Sequence, residues 1–373
     1  METYVKELML EQSKQGVEVA ALVHREDPSL RTTQEKYCED GVSLHLVRVG
    51  RWGVFSFAPI SPAFPLALHR MLKDFGPDLI HLHVPNVSVF WCLLLPRLRA
   101  VPWVIQWQSD VVPSIHSRML RLFWRGYSYF ESQLLRRADC VIVSSPPYLE
   151  TSETLKRWRS KCTVIPLAVR DKVPPPAQPA ASSSAEFRVL SVGRLTYYKG
   201  FVHLIRAIGS TVQCQLTLVG HGDERTAIEH EVATLGISDR VHLIGSCTDE
   251  ELDSLYNSHD VFCLPSIERT ESFGLVLLEA MHSNLPCIAT KVPGSGMSWI
   301  LRDGDAGVLV PPTDSDSLAA ALDDLAMNRD KLLTLRGSAT AQLKTLFGLT
   351  GTTKKILKVY RSLLTSPDLS AKR

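Results

Sequence analysis

The residues with the clearest chemical potential are two glutamates and two cations in the C-terminal half of the chain. Glu271 lies just before a segment, from Gly274 onward, that is rich in Leu, Ala and Met and reads as a helix. Glu279 lies about one and a half turns inside it. The helix N-terminus offers free N–H groups and a dipole that favour an anion such as phosphate, and Gly274 lets a ligand approach the backbone. Upstream, Val192-Gly193-Arg194-Leu195-Thr196-Tyr197-Tyr198-Lys199-Gly200 closes a strand-like run. Arg194 offers a planar fork and Lys199 a point charge, a pair suited to a diphosphate. Gly220-His221-Gly222 is a third glycine turn after a strand. Each motif is weak alone; together they describe three loops at one sheet edge.

The elements that must position these loops are strands alternating with helices. Strand-like runs fall at 17–23, 42–49, 79–84, 103–107, 140–144 and 163–166, with helical patterns at 65–75 and 115–137. This alternation predicts a doubly wound parallel sheet. A Pro-, Ala- and Ser-rich stretch at 173–184 then reads as a linker. After it the alternation resumes, with strands at 187–192, 215–219, 241–244, 261–264, 287–289 and 307–310 and a helical tail over 317–364. The expected organisation is an acceptor-side Rossmann-like domain at 1–170, a linker at 171–186, a nucleotide-sugar-binding Rossmann-like domain at 187–350, and a C-terminal helix and tail at 351–373. Ligands of such sheets bind beyond the carboxyl ends of the strands.

Composition narrows the class. The 373 residues carry a net charge of +2, which gives no global case for nucleic-acid binding. The eight cysteines are scattered and form no C-x-x-C pair, so they read as small buried hydrophobes in a reducing compartment. The longest apolar run, 87–95, is too short to span a bilayer. The helical, acidic start at 2–15 is unlike a secretory leader. The expected location is cytoplasmic. The sequon Asn86-Val87-Ser88 carries no weight there.

With these motifs in place, the chain resembles the retaining glycosyltransferases of family 4, which have the GT-B fold, two Rossmann-like domains facing each other across a cleft. The matching residues are Gly193-Arg194 with Lys199-Gly200, Gly220-His221-Gly222, and Glu271 and Glu279 with Ser272-Phe273-Gly274. Further matches are Val292-Pro293-Gly294-Ser295-Gly296 and the segments 303–310, 77–83 and 138–145. The resemblance implies transfer of a sugar from a nucleotide-diphosphate sugar to a glycan or lipid-linked acceptor, in cell-surface polysaccharide or lipopolysaccharide biosynthesis. It also implies retention of anomeric configuration and no metal or other cofactor. Arg194 and Lys199 would bind the diphosphate, helped by N–H groups at Gly274 and Leu275. Gly193, Gly222 and Phe273 would line the same donor site. Glu279 would contact the ribose and Glu271 the transferred sugar.

The chain departs from the family in two places. Family members open on a strand and a glycine-rich loop, whereas the helix at 2–15 matches the one that follows that loop. Gln108 stands where many relatives carry a histidine near the sugar; glutamine keeps the hydrogen bond but cannot titrate. These departures support an alternative, a truncated, non-catalytic nucleotide-sugar-binding protein. A sugar-nucleotide epimerase is a weaker alternative.

Other features have structural readings. Asp303-Gly304-Asp305 reads as a turn and Asp314-Ser315-Asp316 as a helix start, not as metal ligands. His81 and His83 alternate on one face of a strand without further ligands, a packing pattern. Arg118, Arg121 and Arg125 share a helix face in the aromatic segment 117–127, with Arg136, Arg137, Lys156, Arg157, Arg159 and Lys161 beyond. That pattern fits either a solvated cationic face or a peripheral contact with an anionic membrane. Base choice is assigned to the loop near Gly245-Ser246-Cys247.

Overall fold

The computed structural model describes residues 2–25, 27, 29–39, 41–55, 58–111, 118–170 and 186–365, with the side chains at 2, 54, 55, 58 and 118–123 left out. The chain forms two compact units. The first takes Met1–Ser144, Ser152–Ile165 and Leu349–Arg373; the second takes Ser145–Thr151 and Pro166–Gly348.

In the first unit, helix α1 (Glu2–Lys14) leads into β1 (Ala20–His24), β2 (Thr33–Glu39) and β3 (Val42–Val49). These make a sheet of order β1-β3-β2, with β1 parallel and β2 antiparallel to β3. Strand β2 escapes an apolar-pattern reading because Gln34, Glu35 and Lys36 are exposed. Charge on an edge strand discourages pairing with another chain. A short antiparallel pair, β4 (Gly53–Phe55) and β5 (Ala58–Ile60), follows. Helix α2 (Phe64–Phe75) has a proline in its first turn and closes on Gly76 in the left-handed region. It buries the stripe Phe64, Ala67, Leu68 and Leu72.

The second sheet of this unit is parallel, of order β6-β7-β8-β9: Ile80–Val84, Trp103–Trp107, Cys140–Val143 and Cys162–Val164. Strands β7 and β8 are buried along their whole length, as inner parallel strands are. Helix α3 (Arg118–Arg137) connects them; the start of the expected helix, 115–117, lies outside the described residues. His81 and His83 stack with ring centroids 4.7 Å apart, and His81 Nδ1 lies 2.6 Å from the Tyr360 hydroxyl, so this pair packs rather than gathers ligands.

The second unit begins with α4 (Pro146–Thr151), held to later residues by Arg269. That side chain donates to the Thr151 carbonyl at 3.1 Å and lies 4.6 Å over the Tyr148 ring. The expected linker falls almost wholly at 171–185, outside the described residues. Six parallel strands then form one sheet of order β12-β11-β10-β13-β14-β15. In chain order they are β10 (Phe187–Val192), β11 (Cys214–Val219), β12 (Val241–Ile244), β13 (Val261–Leu264), β14 (Cys287–Thr290) and β15 (Val308–Val310). Helices α5 (Phe201–Ser210), α6 (Arg225–Leu235), α7 (Asp249–Ser258), α8 (Leu275–His282), α9 (Met297–Ile300), α10 (Ser315–Met327) and α11 (Arg329–Leu346) connect or follow them. Phe201, Leu204, Ile205 and Ile208 of α5 pack with Val189, Leu216 and Val261 of the sheet in one apolar core.

The tail is helical as expected, in three segments, the last of which begins at Leu349, close to the separate C-terminal helix expected from 351. It breaks at Asn328, which caps α11, and again before α12 (Leu349–Leu364). Helix α12 groups with the first unit: Gln12 Nε2 donates to the Tyr360 hydroxyl at 3.1 Å, and Ile356 and Leu357 are buried. The two Asp-x-Asp segments do structural work. Asp314 caps α10, accepting from Ser317 N at 2.9 Å and Ser317 Oγ at 2.6 Å, which holds its carboxyl below the usual range. Asp303 sits in a tight turn at φ 52° before β15.

Candidate functional site

The second unit's sheet reverses direction at β10: the chain passes outward through β11 to β12, then returns on the other side of β10 through β13. At such a switch point the loops beyond adjacent strands splay apart and leave room for a ligand. The loops following β10, β11 and β13 are the three singled out in the sequence. The structure brings them together.

The β10 and β11 loops are joined by backbone hydrogen bonds. Gly193 N donates to Val219 O at 3.0 Å, Leu195 N to His221 O at 2.7 Å and Glu224 N to Leu195 O at 3.0 Å. Gly222 is required here: its φ is 157°, and an added Cβ would lie 2.1 Å from the Leu195 carbonyl oxygen. The β10 loop also reaches the β13 loop. Ile267 N donates to Tyr198 O at 2.8 Å, and the Tyr197 hydroxyl donates to Glu268 Oε2 at 2.7 Å.

Lys199 and Glu271 form an ion pair of 2.5 Å, with side-chain exposures of only 9% and 12%. Lys199 folds back over Gly193, its Nζ 3.4 Å from where a Cβ there would stand. Burial pulls the ammonium pKa down, but the charge and hydrogen bond of Glu271, with Tyr198 and Glu279 adding, reverse the shift and hold it above its ordinary value. Arg194 is exposed on the same loop.

The loop carrying Glu271 is pinned from β14. Thr290 Oγ1 donates to the Ser266 carbonyl, and Ser266 Oγ lies 3.5 Å from Glu271 Oε2. Ser295 Oγ donates to the Glu271 carbonyl at 2.5 Å, and Gly296 N to the Ser272 carbonyl at 2.8 Å. The segment 292–296 is thus a brace for the glutamate loop. Phe273 is buried, its ring centroid 6.2 Å from that of Phe347 and 6.4 Å from that of Trp299. It anchors the entrance to α8 from within the core.

Helix α8 starts at Leu275, one residue after the expected Gly274, which is its N-cap at φ 88°. Gly274, as N-cap, has no side chain to occupy the N–H groups of the first turn, of which Leu277 N donates to the Gly274 carbonyl at 2.9 Å. Glu279, the fifth residue of α8, accepts a hydrogen bond from the Tyr256 hydroxyl at 3.0 Å. Burial drives the Glu279 carboxyl pKa upward, against the opposing effects of Tyr256 and Lys199.

Sequence reasoning missed Tyr256, Ser266 and Thr290. They lie on α7 and near β13 and β14, and no short motif links them to the glutamates. It also treated Glu271 and Lys199 as separate ligand contacts, whereas they pair with each other. Gln108 lies in the first unit, where its N–H extends the sheet by donating to Val84 O at 3.0 Å. Beyond it, Asp110 Oδ1 accepts from Trp107 Nε1 at 3.0 Å and from Ser152 Oγ at 2.8 Å.

The cationic stretch of the first unit divides. Arg137 donates to the carbonyls of Leu98, Arg99 and Val101, and Lys161 to those of Leu135, Arg136 and Ala138, so both close backbone ends. Arg125 and Arg136 are exposed on α3; the side chains of Arg118 and Arg121 are outside the described set. Trp91, Leu94, Tyr129 and Phe130 are exposed apolar residues of the neighbouring turn and of α3. Among the described residues no helix is long and apolar enough to cross a membrane.

Known proteins share this architecture. Residues 177–341 match the family described as "Glycosyl transferases group 1", and residues 1–168 match a "Glycosyl transferase 4-like domain". The chain is similar to the lipopolysaccharide core biosynthesis glycosyltransferase LpsE of Rhizobium meliloti, 31% identical over 70% of this chain and 69% of that one. It is similar to O-antigen chain mannosyltransferase C of Escherichia coli, 29% identical over 70% of this chain and 68% of that one. Among solved structures, sucrose-phosphate synthase from Thermosynechococcus elongatus superposes with a TM-score of 0.80 at 26% identity, covering 97% of this chain and 92% of that one. The switch-point loops, the paired glutamates and these likenesses together make the chain a member of the glycosyl transferases group 1 family, with the GT-B fold.

Proposed function

We propose that this glycosyltransferase moves a sugar, with retention and without a metal, from a nucleotide-diphosphate sugar to a glycan or lipid-linked acceptor in cell-surface polysaccharide or lipopolysaccharide assembly. The observation that carries this reading is the convergence of the 193–200, 220–222 and 271–279 loops at the switch point, with Lys199 held beside Glu271 at 2.5 Å. The named activities of the Rhizobium and Escherichia relatives support the acceptor class.

In this reading the donor's diphosphate lies between Arg194, Lys199 and the N–H groups of Gly274 and Leu275. Gly193 and Gly222 let it approach the backbone. Glu279 accepts hydrogen bonds from the ribose. Glu271, its carbonyl held by Ser295, orients the transferred sugar. As the bond from the anomeric carbon to the phosphate oxygen breaks, its electron pair goes to the diphosphate. Fixed cations and oriented N–H groups stabilise that growing charge more than the ground state. The acceptor oxygen forms its bond on the face the phosphate leaves, and its proton passes to the departing phosphate oxygen. No enzyme nucleophile enters the balance. The cations supply the charge neutralisation that a metal supplies elsewhere.

We place the work at the cytoplasmic side of a membrane, with α3 as the peripheral contact. Arg125 and Arg136 with Tyr129 and Phe130 suit an anionic lipid surface. Calorimetry with UDP, GDP and ADP tests the donor site, followed by turnover of the sugar nucleotide carrying whichever base binds. Binding of one nucleotide with release of its diphosphate on acceptor addition is expected. Absence of binding by all three overturns the reading.

A further inference from the structure

We propose that Tyr256 is a positioning residue for nucleotide recognition: its phenol holds one oxygen of Glu279 and leaves the other directed to the donor ribose. The inference rests on the reading of Glu279 as the ribose contact. Tyr256 belongs to α7, whose N-terminus is set by a capping box between Thr248 and Glu251 immediately after the 245–247 loop. Its ring is buried and packs on Phe262 of β13, centroids 5.9 Å apart. The hydroxyl is thereby fixed 3.0 Å from Glu279 Oε2.

A phenol has one proton to donate. Here it goes to a carboxylate on an otherwise apolar stretch of α8, where Leu277, Leu278, Ala280 and Met281 are buried. Occupation of Oε2 restricts rotation of the carboxyl group and leaves Oε1 as the acceptor for sugar hydroxyls. Burial favours the protonated acid, and the phenol opposes that by stabilising the charged form. A protonated or freely turning Glu279 would read the ribose poorly. Tyr256 also ties Glu279 to the helix that follows the base-side loop, so base and ribose recognition share one rigid support.

The test compares binding of ribonucleoside diphosphates with that of their 2′,3′-dideoxy counterparts, using UDP, GDP and ADP, in the wild-type chain and in Tyr256→Phe. The wild type should prefer the ribose form by about tenfold or more, because a site built to hydrogen-bond a hydroxyl rejects the analogue lacking it. In Tyr256→Phe that preference should shrink about fivefold, with dideoxy affinity unchanged, the donor KM raised and kcat nearly kept. Measurement below the variant's melting temperature keeps the ratio readable if the lost bond lowers stability. Equal wild-type affinity for both forms overturns the ribose reading of Glu279 and this inference with it. A wild-type preference that survives intact in Tyr256→Phe overturns the role of Tyr256 alone. Parallel loss of ribose and dideoxy binding would assign Tyr256 to packing only and also overturn it.

Discussion

Substitution of Lys199 should weaken nucleotide binding, whereas substitution of Glu271 should not. The two groups lie 2.5 Å apart with little exposure. At that separation and an effective dielectric of about 20, their attraction is about 7 kcal/mol, and desolvation of the two ions offsets most of it. The pair is therefore poised: an incoming diphosphate gains Lys199 as a partner but must compete with Glu271. Lys199→Ala removes a charge-assisted bond worth about 1.5–3 kcal/mol, so nucleoside diphosphate should bind about 10- to 100-fold more weakly. Glu271→Ala removes the competitor and a like charge, so the same nucleotide should bind as tightly as in the wild type or up to about tenfold tighter. Sugar transfer should fall at least about 100-fold in both, by loss of transition-state contacts. The assay is calorimetric titration with UDP, GDP and ADP at two salt concentrations, with donor turnover measured alongside. The gain in Glu271→Ala should be larger at low salt, where electrostatic interactions are less screened. Equal weakening by both substitutions would refute the competition.

Transfer should persist in excess chelator, as measured by nucleotide release; a strict divalent requirement would show that the cations of the β10 loop do not suffice. The triple change of Arg118, Arg121 and Arg125 to Glu should release the protein from phosphatidylserine-containing vesicles in a flotation assay. Retention on the vesicles would move the contact away from α3. Glu131 is buried beside Tyr127, and burial, with Asp110 adding, pushes its carboxyl up to about 7. The unfolded chain, with an ordinary carboxyl, then binds fewer protons than the folded one between about pH 4.5 and 7, so this group lowers stability as pH rises through that window. Glu131→Gln should remove the dependence and raise stability at pH 8 by about 1–3 kcal/mol. Thermal melts at pH 5 and pH 8 that shift in parallel for both forms would exclude it.

Much of the proposed donor site is legible in the amino-acid sequence because each of its loops is a continuous segment. Glycines at 193, 222 and 274 and the spacing of Glu271 and Glu279 are local facts, and the strand-helix alternation places every loop at the carboxyl end of a parallel strand. Strands β10 to β15 are readable because apolar residues dominate them, and the inner strands β13 and β14 are buried along their whole length. Strand β2 is not, since an exposed edge carries charge in place of a pattern.

What needed tertiary structure was every relation between distant segments. The return of α12 to the first unit depends on Gln12 and His81 meeting Tyr360. The Lys199–Glu271 pair, the brace of Ser295 on Glu271 and the grip of Tyr256 on Glu279 are likewise contacts between separate elements. Local spacing encodes which loops a parallel sheet will present. Which side chains then share protons and charge depends on burial and packing angle, and those exist only once the sheet has assembled.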